Sequence, residues 1–144
     1  MGIRSDGNCV FRALSKIIYG YQEAHVIVRQ SLIKLTAKLP SIFNSMFIPV
    51  TLGRVRIATL EEYCKYMFEQ SSPSDPYRWG GCMEIYAASM VYERPCLVHV
   101  MDIVEDKMVL NHYPEFGDNE PIRLSFEVGD HYNSLITPGS SIYR

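Results

Sequence analysis

Apolar residues recur at helical spacing early in the chain and alternate late in it. Val10, Phe11, Leu14, Ile17 and Ile18 predict a helix with one buried stripe. The loop Asp6-Gly7-Asn8-Cys9 feeds it and a turn at Tyr19-Gly20 ends it. A second helix is predicted from about Gln22 to Lys38, buried along Ile27, Val28, Leu32, Leu35 and Leu39 and closed by Pro40. His25 and Arg29 stand one turn apart on it and read as a solvated face. Ile42, Phe43, Met46, Phe47 and Ile48 suggest a short helical turn that Pro49 breaks; the stretch up to Arg56 is ambiguous. Thr59-Leu60-Glu61-Glu62 is a capping box, so a third long helix should run to about Glu69. On it Cys64, Tyr66, Met67 and Phe68 read as packing residues.

Ser71 to Pro76 is a loop by composition. Trp79-Gly80-Gly81 then allows a sharp turn and a close approach to a neighbour before another helix, with Met83, Ala87, Met90 and Val91 on one face. Glu84 in its first turn complements the helix dipole. From Pro95 the period becomes two. Cys96, Val98 and Val100 alternate with Leu97, His99 and Met101, as in a strand covered on both faces. Lys107 to His112 reads as a strand and Tyr113 to Glu120 as a loop. Ile122, Leu124 and Phe126 mark a half-exposed strand, Gly129-Asp130 a turn, and His131 to Ile136 the last strand. Helices come first and strands last. The fold class is α+β, with helices packed on a sheet in three layers or a sheet between helical subdomains.

Composition narrows the picture. The 144 residues suit one domain with its own core. The net charge is −2 and no run of lysine or arginine occurs, which disfavours nucleic acid as a partner. No apolar run is long enough to cross a bilayer, and the first residues do not form a secretory leader. The chain begins a few residues before its most informative motif, as a trimmed catalytic domain or a very compact natural one would. No apolar heptad points to an oligomer, so a monomer is expected. Cys9, Cys64, Cys82 and Cys96 are irregularly spaced, with no CxxC pair. That argues against a zinc site and a disulfide framework and for reduced thiols in a cytoplasm-like compartment.

The candidate chemistry sits at Cys9. A thiol at the amino end of a buried helix meets the positive end of the helix dipole and backbone N–H groups, which favour a thiolate and a developing oxyanion. Such a cysteine is by itself more often a small buried hydrophobe; a nucleophile also needs a base. His131 and Asn133 are two apart on a predicted strand and so share a face. An asparagine there holds the imidazole in the tautomer that leaves its other nitrogen free. Trp79 reads equally as a site wall or a cover for the core. Cys96 and His99 read as packing or as half of a metal site without a partner pair.

These residues resemble the ovarian tumour (OTU) family of cysteine deubiquitinases. Asp6-Gly7-Asn8-Cys9 with Val-Phe-Arg-Ala is similar to the nucleophile block. Val28-Arg29 resembles a weaker block, Trp79-Gly80-Gly81 with Glu84 and Ala87 the central block, and His131-Tyr132-Asn133 the terminal block. The four occur in the family's order, from Asp6 to Asn133. The resemblance implies a papain-like fold, a small mixed sheet flanked by helices, over a single catalytic domain, 1–144. It implies hydrolysis at the terminal glycine of ubiquitin through an acyl-enzyme on Cys9. His131 would be general base and acid, Asn133 the orienting residue, and Asp6 part of the catalytic motif. Backbone N–H groups of Asp6, Gly7, Asn8 and Cys9 would form the oxyanion hole. Trp79, Gly80, Gly81 and Tyr132 would line the substrate cleft. No metal or organic cofactor is implied. Partners would be ubiquitin, polyubiquitin chains or another ubiquitin-like modifier, in the cytoplasm, or the host cytoplasm for a viral or bacterial effector. The acidic stretch with Glu115, Asp118 and Glu120 suits ubiquitin's basic tail by charge sign. The alternative readings are a peptidase for another modifier, a ubiquitin-binding module without catalysis, and a thiol acyltransferase.

Overall fold

The structure, a computed structural model, describes residues 3, 7–52, 55–69, 78, 80–102, 107–113, 116–127 and 131–134, with the backbone alone at 52, 101, 102, 107–109, 127, 131 and 133. Helix α1 (Cys9–Tyr19) buries Val10, Phe11, Leu14 and Ile17 and leaves Ile18 half-buried. Gly20 ends it at φ +87°, a left-handed conformation that favours glycine, and its N–H caps the carbonyl of Lys16. Helix α2 (His25–Lys38) begins three residues later than the sequence predicts and ends where Pro40 opens the short α3 (Pro40–Phe43). Its buried arc differs from the predicted one. Val28 and Leu32 are buried and Leu35 and Leu39 half-buried, but Ile27 is 57% exposed, whereas His25, Arg29, Ile33 and Thr36 are buried. The cause is packing on several sides, because α2 touches α1, α4 and α5. His25 and Arg29 are therefore interior residues, not a solvated face.

The ambiguous stretch holds a hairpin of β1 (Val50–Leu52) and β2 (Val55–Ile57), with Val50 opposite Ile57. Helix α4 (Leu60–Met67) starts on the predicted cap: Glu62 N–H donates to Thr59 Oγ1 at 3.1 Å. The Glu62 carboxylate reaches back to Ala58 N–H at 3.2 Å. Helix α5 (Cys82–Val91) buries more than the predicted face, with Met83, Glu84, Ile85, Ala87, Ala88 and Ser89 all buried. It packs against α2 and β3, so apolar residues surround it.

Strands β3 (Cys96–Asp102), β4 (Lys107–Tyr113), β5 (Ile122–Glu127) and β6 (His131–Ser134) form a mixed sheet in the order β4-β3-β5-β6. β3 and β5 run parallel and the other pairs antiparallel. One face carries the buried Cys96, Val98, Ile122 and Leu124 and joins the core of α1, α2 and α5. On the other face Leu97, His99, Arg123 and Ser125 are half-buried and Leu110 and His112 exposed. The described residues thus make two layers, and β3 is covered fully on one face rather than both. Each large side chain buried between the layers contributes roughly 1.5–3 kcal/mol. The Ser71–Pro76 loop, the Gly129-Asp130 turn and the end of the last strand at Leu135-Ile136 lie outside the described residues.

Candidate active site

The chain enters α1 through Gly7, whose φ of +87° is a backbone state that side chains with a Cβ resist. Asn8 precedes the helix and its carbonyl takes the first intrahelical bond, from Arg12 N–H at 2.8 Å. Cys9 is the first helical residue and 4% exposed. The Tyr132 N–H donates to its Sγ at 3.5 Å. Tyr132 lies in β6, one of the two outer strands of the described sheet, so α1 sets its amino end against that edge. An N–H aimed at sulfur favours the thiolate. His131 and Asn133 flank this residue in sequence, at alternate positions of β6. Their backbones are thereby brought to the thiol; their side chains lie outside the described residues, as does Asp6. Of the four expected oxyanion donors, Gly7, Asn8 and Cys9 are described.

Arg29 supports this loop from beneath. It is fully buried, and its Nη2 donates to Asn8 Oδ1 at 3.0 Å and to the Arg78 carbonyl at 2.8 Å. Its Nη1 donates to the Met67 carbonyl at 3.0 Å, and its Cζ stands 4.0 Å from the Phe11 ring centroid. A buried cation must be bonded on several sides; this one ties α2 to the nucleophile loop, α1, the end of α4 and the segment before Gly80. Asn8 accordingly does not cap α1 with its side chain. The sequence signal for Arg29 is its spacing: it falls three residues before Leu32, inside the buried arc.

The central block splits into separate roles. Trp79 lies outside the described residues. Gly80 has φ +83°, and a Cβ on it would sit 2.7 Å from Val10 Cγ1 and 3.0 Å from Phe11 Cζ. This glycine therefore lets the chain lie against the start of α1. Gly81 faces open space. Its N–H donates to Glu84 Oε1 at 2.7 Å, and Tyr63 Oη–H donates to Glu84 Oε2 at 2.7 Å. Glu84 is thus more than a complement to the dipole of α5. It is a buried junction between α4 and α5 whose carboxyl is pushed up by burial, against the opposing pull of Tyr63, backbone N–H groups and Arg29. Burial likewise raises Tyr63.

The half-buried Tyr132 ring packs edge-on to Phe126, with centroids 4.8 Å apart, and against the core, while its backbone amide meets the thiol. Glu115 lies outside the described residues. Asp118 and Glu120 are exposed, but their turn is tied to the α5–β3 connection by Arg94 Nε–H donating to the Glu120 carbonyl at 2.6 Å. It enters β5 at Ile122, about 13 Å along the strand from Phe126, the partner of Tyr132, so those charges stand away from the thiol. Cys96 and His99 are three apart in β3 and so lie on opposite faces. Among the described residues no group of three His, Cys, Asp or Glu has a metal-binding arrangement. None of the four cysteines is in a disulfide: Cys9, Cys64 and Cys96 are buried and Cys82 is exposed.

A family model for OTU-like cysteine proteases matches residues 4–132. The ovarian tumor domain-containing deubiquitinating enzyme 6 of Arabidopsis thaliana is 30% identical over 133 residues, 92% of this chain and 23% of that protein. The chain spans about a quarter of the length of such curated relatives. Among solved structures, the OTU domain of OTUD1 aligns with a TM-score of 0.77 at 20% identity, covering 95% of this chain and 84% of that one. An OTU deubiquitinase from Wolbachia pipientis wMel bound to ubiquitin aligns at 0.66 and 16% identity, covering 96% of this chain and 95% of that one. At these identities the likeness is one of fold, and it includes the α+β architecture described above.

Proposed function

The chain belongs to the family of OTU-like cysteine proteases, and on that premise we propose that it is a deubiquitinase, a thiol isopeptidase acting at the carboxyl-terminal glycine of ubiquitin. The observation that carries the reading is the Tyr132 N–H on Cys9 Sγ at 3.5 Å, which brings the positions of His131 and Asn133 beside the helix-borne thiol. His131 takes the Cys9 proton, and the thiolate attacks the glycine carbonyl carbon. Backbone N–H groups of the loop from Asp6 to Cys9 hold the oxyanion. The C–N bond breaks as His131 returns the proton to the departing lysine amine, leaving a thioester. Water, deprotonated by His131, then releases the ubiquitin carboxylate and restores the thiol. Asn133 orients the imidazole. The chemistry uses side chains and water, without metal or organic cofactor, in a monomer. Four cysteines outside any disulfide, one of them exposed, suit a reducing cytoplasmic setting.

The test is intact mass after mixing the protein with ubiquitin that carries a thiol-reactive group at its carboxyl terminus. One adduct is expected on the parent and none on Cys9→Ala. An unmodified parent would overturn the proposal for ubiquitin, and the same group on other modifiers would then identify a different substrate.

A further inference from the structure

An asparagine in the residue before a helix ordinarily turns its side-chain oxygen onto the N–H groups of the first turn. Asn8 occupies that position in α1, at φ −115° and ψ 20°, and makes no such bond. Its Oδ1 accepts from Arg29 Nη2 at 3.0 Å instead. Arg29 is held where it is by the Met67 and Arg78 carbonyls and by the Phe11 ring. The next residue is Cys9. The first-turn N–H groups and the positive end of the helix are where a thiolate on Cys9 gains stabilisation. A carboxamide oxygen folded onto the Val10 or Phe11 N–H takes up that donor and part of the helix's positive end.

We propose that Arg29 is a positioning residue for the Cys9 chemistry: it holds the Asn8 carboxamide away from the amino end of α1 and keeps that end for the thiolate. The inference rests on Cys9 as the nucleophile. It separates two effects that usually run together, since a better cap on this helix makes a worse enzyme. A residue at position 8 that can cap but cannot be restrained by Arg29 stabilises α1 and slows the thiol.

The experiment measures Cys9 alkylation by iodoacetamide, read at its own peptide by mass spectrometry, beside urea unfolding. Arg29→Met should react about fivefold more slowly than the parent, the scale of one helix-cap bond. Adding Asn8→Ala to it should restore most of that rate, because alanine cannot cap. A loop merely loosened by losing Arg29 would not recover, so a double variant as slow as Arg29→Met overturns the proposal. Should Arg29→Met fail to fold, Asn8→Ser and Asn8→Ala decide it in the presence of Arg29. Serine is the better cap, so Asn8→Ser should resist urea better than Asn8→Ala yet alkylate about threefold more slowly. Equal rates, or a faster serine variant, overturn it. A parent that alkylates but ignores the ubiquitin reagent counts against the ubiquitin reading alone, and the order of the variants still tests Arg29.

Discussion

Glu84 carries its two hydrogen bonds in an interior position, 1% exposed, with Gly81 N–H on one oxygen and Tyr63 Oη–H on the other. Burial is the largest influence on it and holds its carboxyl above the ordinary range. A raised acid in the folded state binds its proton more tightly than the unfolded chain does. The stability it contributes is therefore complete below the ordinary glutamate range and is lost as pH rises through the folded value. Glu84→Gln keeps an acceptor for Gly81, turns the Tyr63 hydroxyl from donor to acceptor, and cannot titrate. Urea midpoints measured from pH 4 to pH 8 should fall less steeply for Glu84→Gln than for the parent. Parallel curves would mean that Glu84 does not titrate differently on folding. That an acid stands three residues after Gly81 is legible in the sequence. Its burial is not, because Tyr63 arrives from another helix.

The turn into α5 sets two neighbouring glycines in unlike surroundings. At Gly80 a Cβ meets both a left-handed backbone and the side chains of Val10 and Phe11; at Gly81 φ is −169° and the space is open. Gly80→Ala should cost about 2–3 kcal/mol through strain and overpacking, and Gly81→Ala about 1 kcal/mol or less. Because Val10 and Phe11 follow Cys9 directly, Gly80→Ala should also slow Cys9 alkylation, and Gly81→Ala should not. Unfolding and alkylation of the two variants check this; equal losses would count against the contact with α1. Elements with strong local signals were readable: the α1 stripe, the Thr59 cap, the alternation of β5. The β1–β2 hairpin was not, since strands of three residues with Val50 and Val55 exposed carry too short a pattern. The α2 arc was misplaced because three neighbouring helices, rather than its own apolar residues, choose its buried side.

Across the whole molecule the four thiols report on different layers. Cys82 is exposed, Cys96 lies in the core face of the sheet, and Cys64 sits between helices with its thiol pushed up to about 11 by burial and by Glu84. With a disulfide reagent at neutral pH, Cys82 should label at once. Cys64 and Cys96 should label along the same urea transition that removes helical circular dichroism, as one cooperative domain requires. Cys64 labelling well below that midpoint would show α4 opening on its own.

The sequence by itself determined what short-range physics can carry. It specified a loop that needs glycine, a helix that places Cys9 at its amino end, the caps that start and stop helices, and the histidine–asparagine spacing on a strand. The resemblance in those blocks already pointed to the family. Tertiary structure alone decided which faces meet. It buried Arg29 and turned it onto Asn8, joined Tyr63 to Glu84, packed the Tyr132 ring against Phe126 and the core, and left the Asp118–Glu120 turn at the far end of β5. It also closed the gap of 123 positions between Cys9 and Tyr132 by making β6 an outer strand of the sheet. A strand's outward N–H finds its acceptor only after register and strand order are set, and no local pattern encodes that choice.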